Sequence, residues 1–253
     1  MDVLPVVPAF GDELPGGQGD PSWLTDKALR NWQPTNPKGF AEWFRSLAAV
    51  ELKMVAKRAE VEVEPLPAHG ARTALQMAVK ILKRHRDHYF ADDAKSLAPP
   101  SALLSVLAAR AYERRVRDEN ELKIILGCVV EDMPNHLVRK DGHLWIASPA
   151  CPDENYADRY IGNRQKEEAL REWLDRVRTD LGAIARPDGL HKVAKSVDEV
   201  FGAGLGSRVI RRIGGVADQA CLAGSLGTSA SGLLITEAPR PHRPHTNYGC
   251  SPA

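Results

Sequence analysis

At 253 residues the chain is long enough to bury a sizeable core, in one large domain or two small ones. Its 26% charged and 43% hydrophobic residues are ordinary for a globular protein, and a net charge of +1 supplies no global pull toward nucleic acid or a membrane surface. Cys128, Cys151, Cys221 and Cys250 form no C-x-x-C pair, which argues against a disulfide framework or a zinc site; with no basic leader and no long apolar run, a cytoplasmic protein with reduced thiols is expected.

In chain order, "MDVLPVVPAF" reads as a short strand with one carboxylate, Asp2, and "GDELPGGQGD" as a loop by its turn residues. "NWQPTNPKGFAEWF" reads as a turn leading into a helix: Pro37 disfavours helix at Asn36, and Phe40, Trp43 and Phe44 have helical spacing. The middle of the chain is helical. In "ARTALQMAVKILKRHRDHYF" the residues Leu75, Ala78, Val79, Leu82 and Tyr89 are expected on one apolar face, and Gln76, Lys80, Lys83 and Asp87 on a polar stripe. After Pro99-Pro100, a suitable helix entry, "SALLSVLAARAYERR" is apolar nearly all round and is expected to be central and buried. "ELKIILGCVVEDMPNHL" predicts a helix interrupted near Pro134, and "KEEALREWLDRVRTDLGAI" one with an apolar stripe through Leu170, Trp173, Leu174, Val177, Leu181 and Ile184. In "DENYADRY", Asp153 is expected to cap the following helix while Tyr156 and Tyr160 pack. "LHKVAKSVDEVFG" predicts a helix ending at Gly202. Beyond it Gly, Ser and Pro dominate, so the expected organisation is a small lobe over 1–45, a helical lobe over 46–201 and a tail over 202–253.

The residue types that carry chemistry are sparse. "KILKRHRDH" sets Lys83, Arg84, His85 and Arg86 on a helix, where they could hold a triphosphate; by itself the segment reads first as a solvated face. Nucleic acid is not expected there, because no aromatic platform is interleaved with the charges. His242 and His245 lie in a proline-rich tail that presents no rigid pair for a metal. The glycines of "GAGLGS" follow a predicted helix and not a strand, so they are no dinucleotide fingerprint.

Several segments in order, "DVLPVVPAF", "NWQPTNPKGFAEWF", "LQMAVKILKRHRDHYF", "PPSALLSVLAARAYE" and "ASPACPDENYADRY", resemble the bacterial nucleotidyltransferases related to cyclic GMP-AMP synthase and oligoadenylate synthase. These are the signal-making enzymes of cyclic-oligonucleotide anti-phage defence. The resemblance implies an α+β fold, mostly α in this chain: a helical lobe of a polymerase-β-like nucleotidyltransferase with a remnant of its catalytic sheet. It implies an enzyme that joins nucleoside triphosphates, ATP among them, and releases pyrophosphate with the help of Mg²⁺ held by three acids. Asp2 matches the third of those acids and is the expected catalytic and metal-binding residue; the phosphate loop and the D-x-D pair have no counterpart in the sequence. Lys83 and Ser101 match nucleotide-binding positions. On this resemblance the chain is expected to lack an N-terminal segment of the catalytic lobe and to be inactive alone. The alternative is a non-catalytic helical module that binds nucleotide or a defence-operon partner. Trp23, Trp32 and Phe44 are expected to cover part of the sheet remnant.

Overall fold

A computed structural model describes residues 6–9, 21–25, 32–47, 73–115, 121–184, 189–225, 227–228 and 234–236. Contacts divide the chain into two units, Met1–Ala185 and Arg186–Ala253. Asp2, His242, His245 and Cys250 lie outside the described residues.

The first unit opens with a three-stranded antiparallel sheet, β1 (Val6–Pro8), β2 (Ser22–Thr25) and β3 (Trp32–Thr35), in that spatial order. Val7 pairs with Trp23, and Trp23 with Pro34. Pro8 and Pro34 both fall on the two outer strands, where a missing N–H costs least. The expected turn over residues 32–35 is therefore a strand: its proline masked a β pattern that an outer position tolerates. Trp32 is 54% exposed and does not cover the sheet, whereas Phe44 packs against the core.

Asn36 then starts α1 (residues 37–47). Its Oδ1 accepts the Gly39 N–H at 2.8 Å, and Pro37 takes the first helical position, where no donor is needed. Four helices build the core: α2 (Ala74–Tyr89), α3 (Ser101–Arg115), α4 (Leu122–Asp132) and α5 (Arg164–Ile184). α3 is central, packed on both α2 and α4, and Leu103, Leu104, Val106, Leu107, Ala108 and Ala109 are wholly buried. α4 gives way at Met133–His136 to a 3₁₀ turn containing Pro134, as its sequence requires. The carboxylate of Asp132 is buried at this junction and meets Arg114, His136 and Asn135 at 3.0–3.1 Å, so the buried charge is matched.

A hairpin of β4 (Val138–Lys140) and β5 (His143–Trp145) turns through Asp141 and Gly142, both in the left-handed region. The loop that follows is organised by Asn155 and not by Asp153. Asn155 Oδ1 accepts the N–H groups of Ile146 and Ala157 at 2.8 and 2.9 Å, and its amide donates to Leu144 O. The short turn Asp158–Tyr160 has no side-chain cap. An amide can both donate and accept, so Asn155 closes a loop that a carboxylate could only half satisfy. Tyr160 is buried as expected, and Tyr156 sets its ring edge against Phe40.

In the second unit α6 (Leu190–Phe201) ends at Gly202 and α7 (Leu205–Leu222) folds back on it. α7 occupies much of the segment expected as a tail; Val209, Ile213 and Val216 recur at helical spacing there, beneath a composition dominated by small residues. Gly206 is what allows the two helices to meet, since a Cβ at this position would stand 2.1 Å from Ala194 O. The short β6 (Gly227–Thr228) and β7 (Leu234–Ile235) pair beyond α7. Gly206→Ala is expected to destabilise the α6–α7 hairpin by about 1–3 kcal/mol, seen as faster limited proteolysis between residues 190 and 222 with the cleavage rate elsewhere unchanged.

Candidate functional site

The site is built on α2. Thr73 and Gln76 form a reciprocal cap that fixes where the helix starts. Leu75, Ala78, Val79 and Leu82 enter the core, but Tyr89 does not complete that face: it is 37% exposed, and His85, only 1% exposed, takes the buried place. The reason lies on α5. Trp173 Nε1–H donates to His85 Nδ1 at 3.1 Å, and His85 Nε2 lies 3.0 Å from Asp180 Oδ2, itself held by Arg176 at 2.8 Å. Because Nδ1 must accept from Trp173, the proton of the neutral ring sits on Nε2 and is donated to Asp180. Burial pushes the His85 pKa down, with Asp180 opposing only in part.

The basic segment is consequently split and does not form one solvated face. Arg84 is exposed, His85 points inward, and Arg86 reaches the start of α3, where Nη1 donates to Pro99 O and to Ser101 Oγ, both at 2.9 Å. Arg86 also grips Asp87 at 2.5 Å. Lys83 is half-buried, and its ammonium pKa is lowered first by burial and then by the charge of Arg86, with Asp87 pulling the other way.

Lys83 lines a cleft of about 430 Å³ together with Gln76 and Lys80 of α2, Phe40 and Phe44 of α1, and Ser105 of α3. Gln76, Lys80 and Lys83 are spaced i, i+4 and i+7, one stripe of a helix. Ser101 stands beside this cleft and not in its lining; Ser105, one turn on, lines it and donates to Ser101 O at 2.8 Å. Arg86 thus bonds Ser101 one helical turn on from Lys83. Among the described residues the Lys80 and Lys83 ammonium groups, the Gln76 Nε2 amide and the Ser101 O–H have no acceptor. Three such donors along α2, with Ser101 at an α3 N-terminus that has no acid in its first turn, suit a ligand rich in acceptor oxygens. The resemblance does not name Gln76, Lys80, Arg86 or Ser105; the sequence places Gln76 and Lys80 on the polar stripe of Lys83 and Arg86 in the basic segment, and only Ser105 has no signal beyond its spacing of one turn from Ser101.

Among the described residues no group of three or more His, Cys, Asp or Glu side chains could hold a metal ion. The described residues therefore do not make the Mg²⁺ site that the resemblance implies, and Asp2, its expected ligand, lies outside them. Among the described residues no helix is long and apolar enough to cross a membrane.

No family model matches the chain. A curated relative, a c-di-GMP synthase of Roseivirga ehrenbergii, is 23% identical over 232 residues, covering 89% of this chain and 60% of the relative. Among solved structures, the CD-NTase CdnG of Bradyrhizobium diazoefficiens, in complex with GTP, superposes with a TM-score of 0.56 at 18% identity, over 78% of this chain and 61% of that one. This chain has the CD-NTase fold. The cyclic AMP-GMP synthase DncV of Vibrio cholerae, in complex with nonhydrolyzable GTP, gives a TM-score of 0.50 at 15% identity, over 72% of this chain and 42% of that one. The α+β architecture and the resemblance to bacterial nucleotidyltransferases related to cyclic GMP-AMP synthase agree with these CD-NTases. The chain spans about three fifths of the length of the curated relative.

The His85 arrangement carries a pH signature. The unfolded chain takes up a proton near pH 6.5 that the folded ring resists, so stability is full above that pH and falls as the pH drops through and below it. Unfolding free energy measured from pH 8 to 5.5 is expected to decline below about pH 6.5 in the parent chain, and to decline less in His85→Gln, which keeps an acceptor and a donor but does not titrate.

Proposed function

We propose that the cleft between α1, α2 and α3 holds a nucleoside triphosphate, and that this chain is the nucleotide-binding part of a nucleotidyltransferase that makes cyclic oligonucleotides. The observation that carries the reading is the stripe of unmatched donors beside Phe40 and Phe44. The relative named for c-di-GMP synthesis and the neighbours solved with GTP support it.

Each residue has a physical role in this reading. Lys83 is half-buried and has lost part of its water, so a phosphate oxygen has less solvent to displace there. Arg86 spends its own donors on Pro99 O, Ser101 Oγ and Asp87, and so acts as a positioning residue: it orients the Ser101 hydroxyl, whose proton is left to donate to phosphate. The free N–H groups at the start of α3 add to the same attraction. Phe40 and Phe44 supply an apolar aromatic wall for the base. In the transfer itself a nucleotide hydroxyl attacks the α-phosphorus, the new P–O bond forms as the α–β bridging P–O bond breaks, and pyrophosphate leaves. Asp2 is the one acid of this sequence proposed for the metal-dependent step. Because the sequence carries no D-x-D pair to join it, this chain alone is proposed to bind nucleotide without linking it.

Lys83→Ala is expected to weaken binding of a nonhydrolysable GTP analogue by about 10- to 100-fold, the worth of a charge-assisted contact, by calorimetry at fixed salt. Labelled ATP and GTP incubated with the purified chain and Mg²⁺ are expected to stay unlinked on thin-layer chromatography; a labelled product would overturn the inactivity, and a parent chain that binds no triphosphate would overturn the site.

A further inference from the structure

The cap at the start of α2 has a second consequence. Thr73 Oγ1 accepts the Gln76 N–H at 3.3 Å, and Gln76 Oε1 accepts the Thr73 N–H at 3.2 Å. A backbone N–H can bond only the oxygen of a carboxamide, so this pair determines which way the Gln76 amide is turned. The oxygen is committed to the helix start. What remains for the cleft is Nε2 with its two hydrogens, and among the described residues it has no acceptor.

Glutamate serves the same cap as well as glutamine does. The cap alone does not call for an amide, whereas a donor facing the cleft does. Gln76 also lies toward the opposite end of α2 from Arg86 and Ser101; seven residues separate it from Lys83, about 10 Å along the helix. Phosphates are drawn to the Lys83–Ser101 end, where the cations and the α3 N-terminus gather. The base is then left to the Gln76 end, with Phe40 and Phe44 in the same cleft, their ring centroids 6.3 Å apart.

We propose that Gln76 is a specificity-determining residue that selects a nucleobase with a carbonyl oxygen at purine C6 or pyrimidine C4, guanine or uracil, over adenine and cytosine, which carry an amine there. A free carboxamide pairs with adenine through both of its groups, oxygen to the exocyclic amine and nitrogen to the ring. With the oxygen held by Thr73, that two-point pairing is not offered. At that edge position the amine of adenine or cytosine would meet the Nε2 hydrogens donor to donor and leave only a ring nitrogen to accept, while the O6 of guanine or the O4 of uracil would accept one of them directly. The inference rests on the nucleotide reading of the cleft and adds the base to it.

The test is equilibrium binding of nonhydrolysable GTP, UTP, ATP and CTP analogues to the full chain and to its Gln76→Glu variant. Glutamate keeps an oxygen for the Thr73 N–H, so an unchanged melting temperature is expected and shows that the helix start is intact. The readout is the affinity ratio between keto and amino bases, because the added carboxylate repels every triphosphate alike. The parent chain is expected to favour GTP and UTP over ATP and CTP by about tenfold or more, and Gln76→Glu to erase or reverse that preference. A keto-to-amino affinity ratio left unchanged by Gln76→Glu would overturn the proposal, however much the four analogues weaken together. Binding that depends on Lys83 but shows no base preference in the parent chain would overturn this inference and leave the nucleotide site standing. No binding of any triphosphate would overturn the site reading and this inference with it.

Discussion

The rotation of α2 about its own axis is the constraint on which the cleft depends, and His85 sets it. A helix with apolar residues at 75, 78, 79 and 82 could settle against its neighbours over a range of angles. A buried imidazole cannot, because both of its nitrogens must find partners at once. Trp173 and Asp180, two turns apart on α5, supply a donor and an acceptor 3.1 and 3.0 Å from the ring. That lock places Val79 and Lys83, one turn apart, against the cleft, and carries Arg86 to the start of α3.

The price of that placement is electrostatic. Lys80, Lys83 and Arg86 crowd two turns of one helix, and like charges at three- and four-residue spacing each cost a few tenths of a kcal/mol. Arg86 adds a cation beside the N-terminus of α3, the end where a helix prefers an anion. Neither arrangement stabilises the protein by itself. Both would become favourable with phosphate oxygens in the cleft, as the proposed function has it. The core is indifferent to this cost: α3, with its wholly buried central turns, and Trp173 hold the bundle whether or not the cleft is filled.

The division of labour within the first unit follows the same logic. The sheet β1–β2–β3 is small, and its outer strands carry Pro8 and Pro34, which discourage further pairing at those positions. It is tied to the helical part through Asn36, which starts α1, and through Thr35, whose hydroxyl donates to Glu154 at 2.8 Å. α1 in turn brings Phe40 and Phe44 to the cleft. The aromatic wall and the cationic stripe therefore come from two helices far apart in sequence, and only the packed bundle sets them together.

The sequence by itself determined the helices whose apolar residues repeat at helical spacing, the breaks at Pro134 and Gly202, the central burial of α3 and the polar stripe of Lys83, because periodicity and backbone chemistry are local properties. It misplaced what depended on distant partners. Tyr89 and His85 exchanged places because the partners of a buried histidine sit some ninety residues away on α5. Asp153 yielded to Asn155 because the loop needed a group that both donates and accepts, toward the segment of Leu144 and Ile146 and toward its own Ala157. The strand over residues 32–35 and the helix α7 lay beneath proline and glycine compositions that only an outer-strand position and a close approach at Ala194 make tolerable. Resemblance names Lys83 and Ser101 one by one. That Arg86 bonds Ser101, and that Gln76, Lys80 and Ser105 line one cleft with Lys83, was decided by tertiary structure, since which side of a polar stripe meets a neighbouring helix is settled by packing and not by spacing.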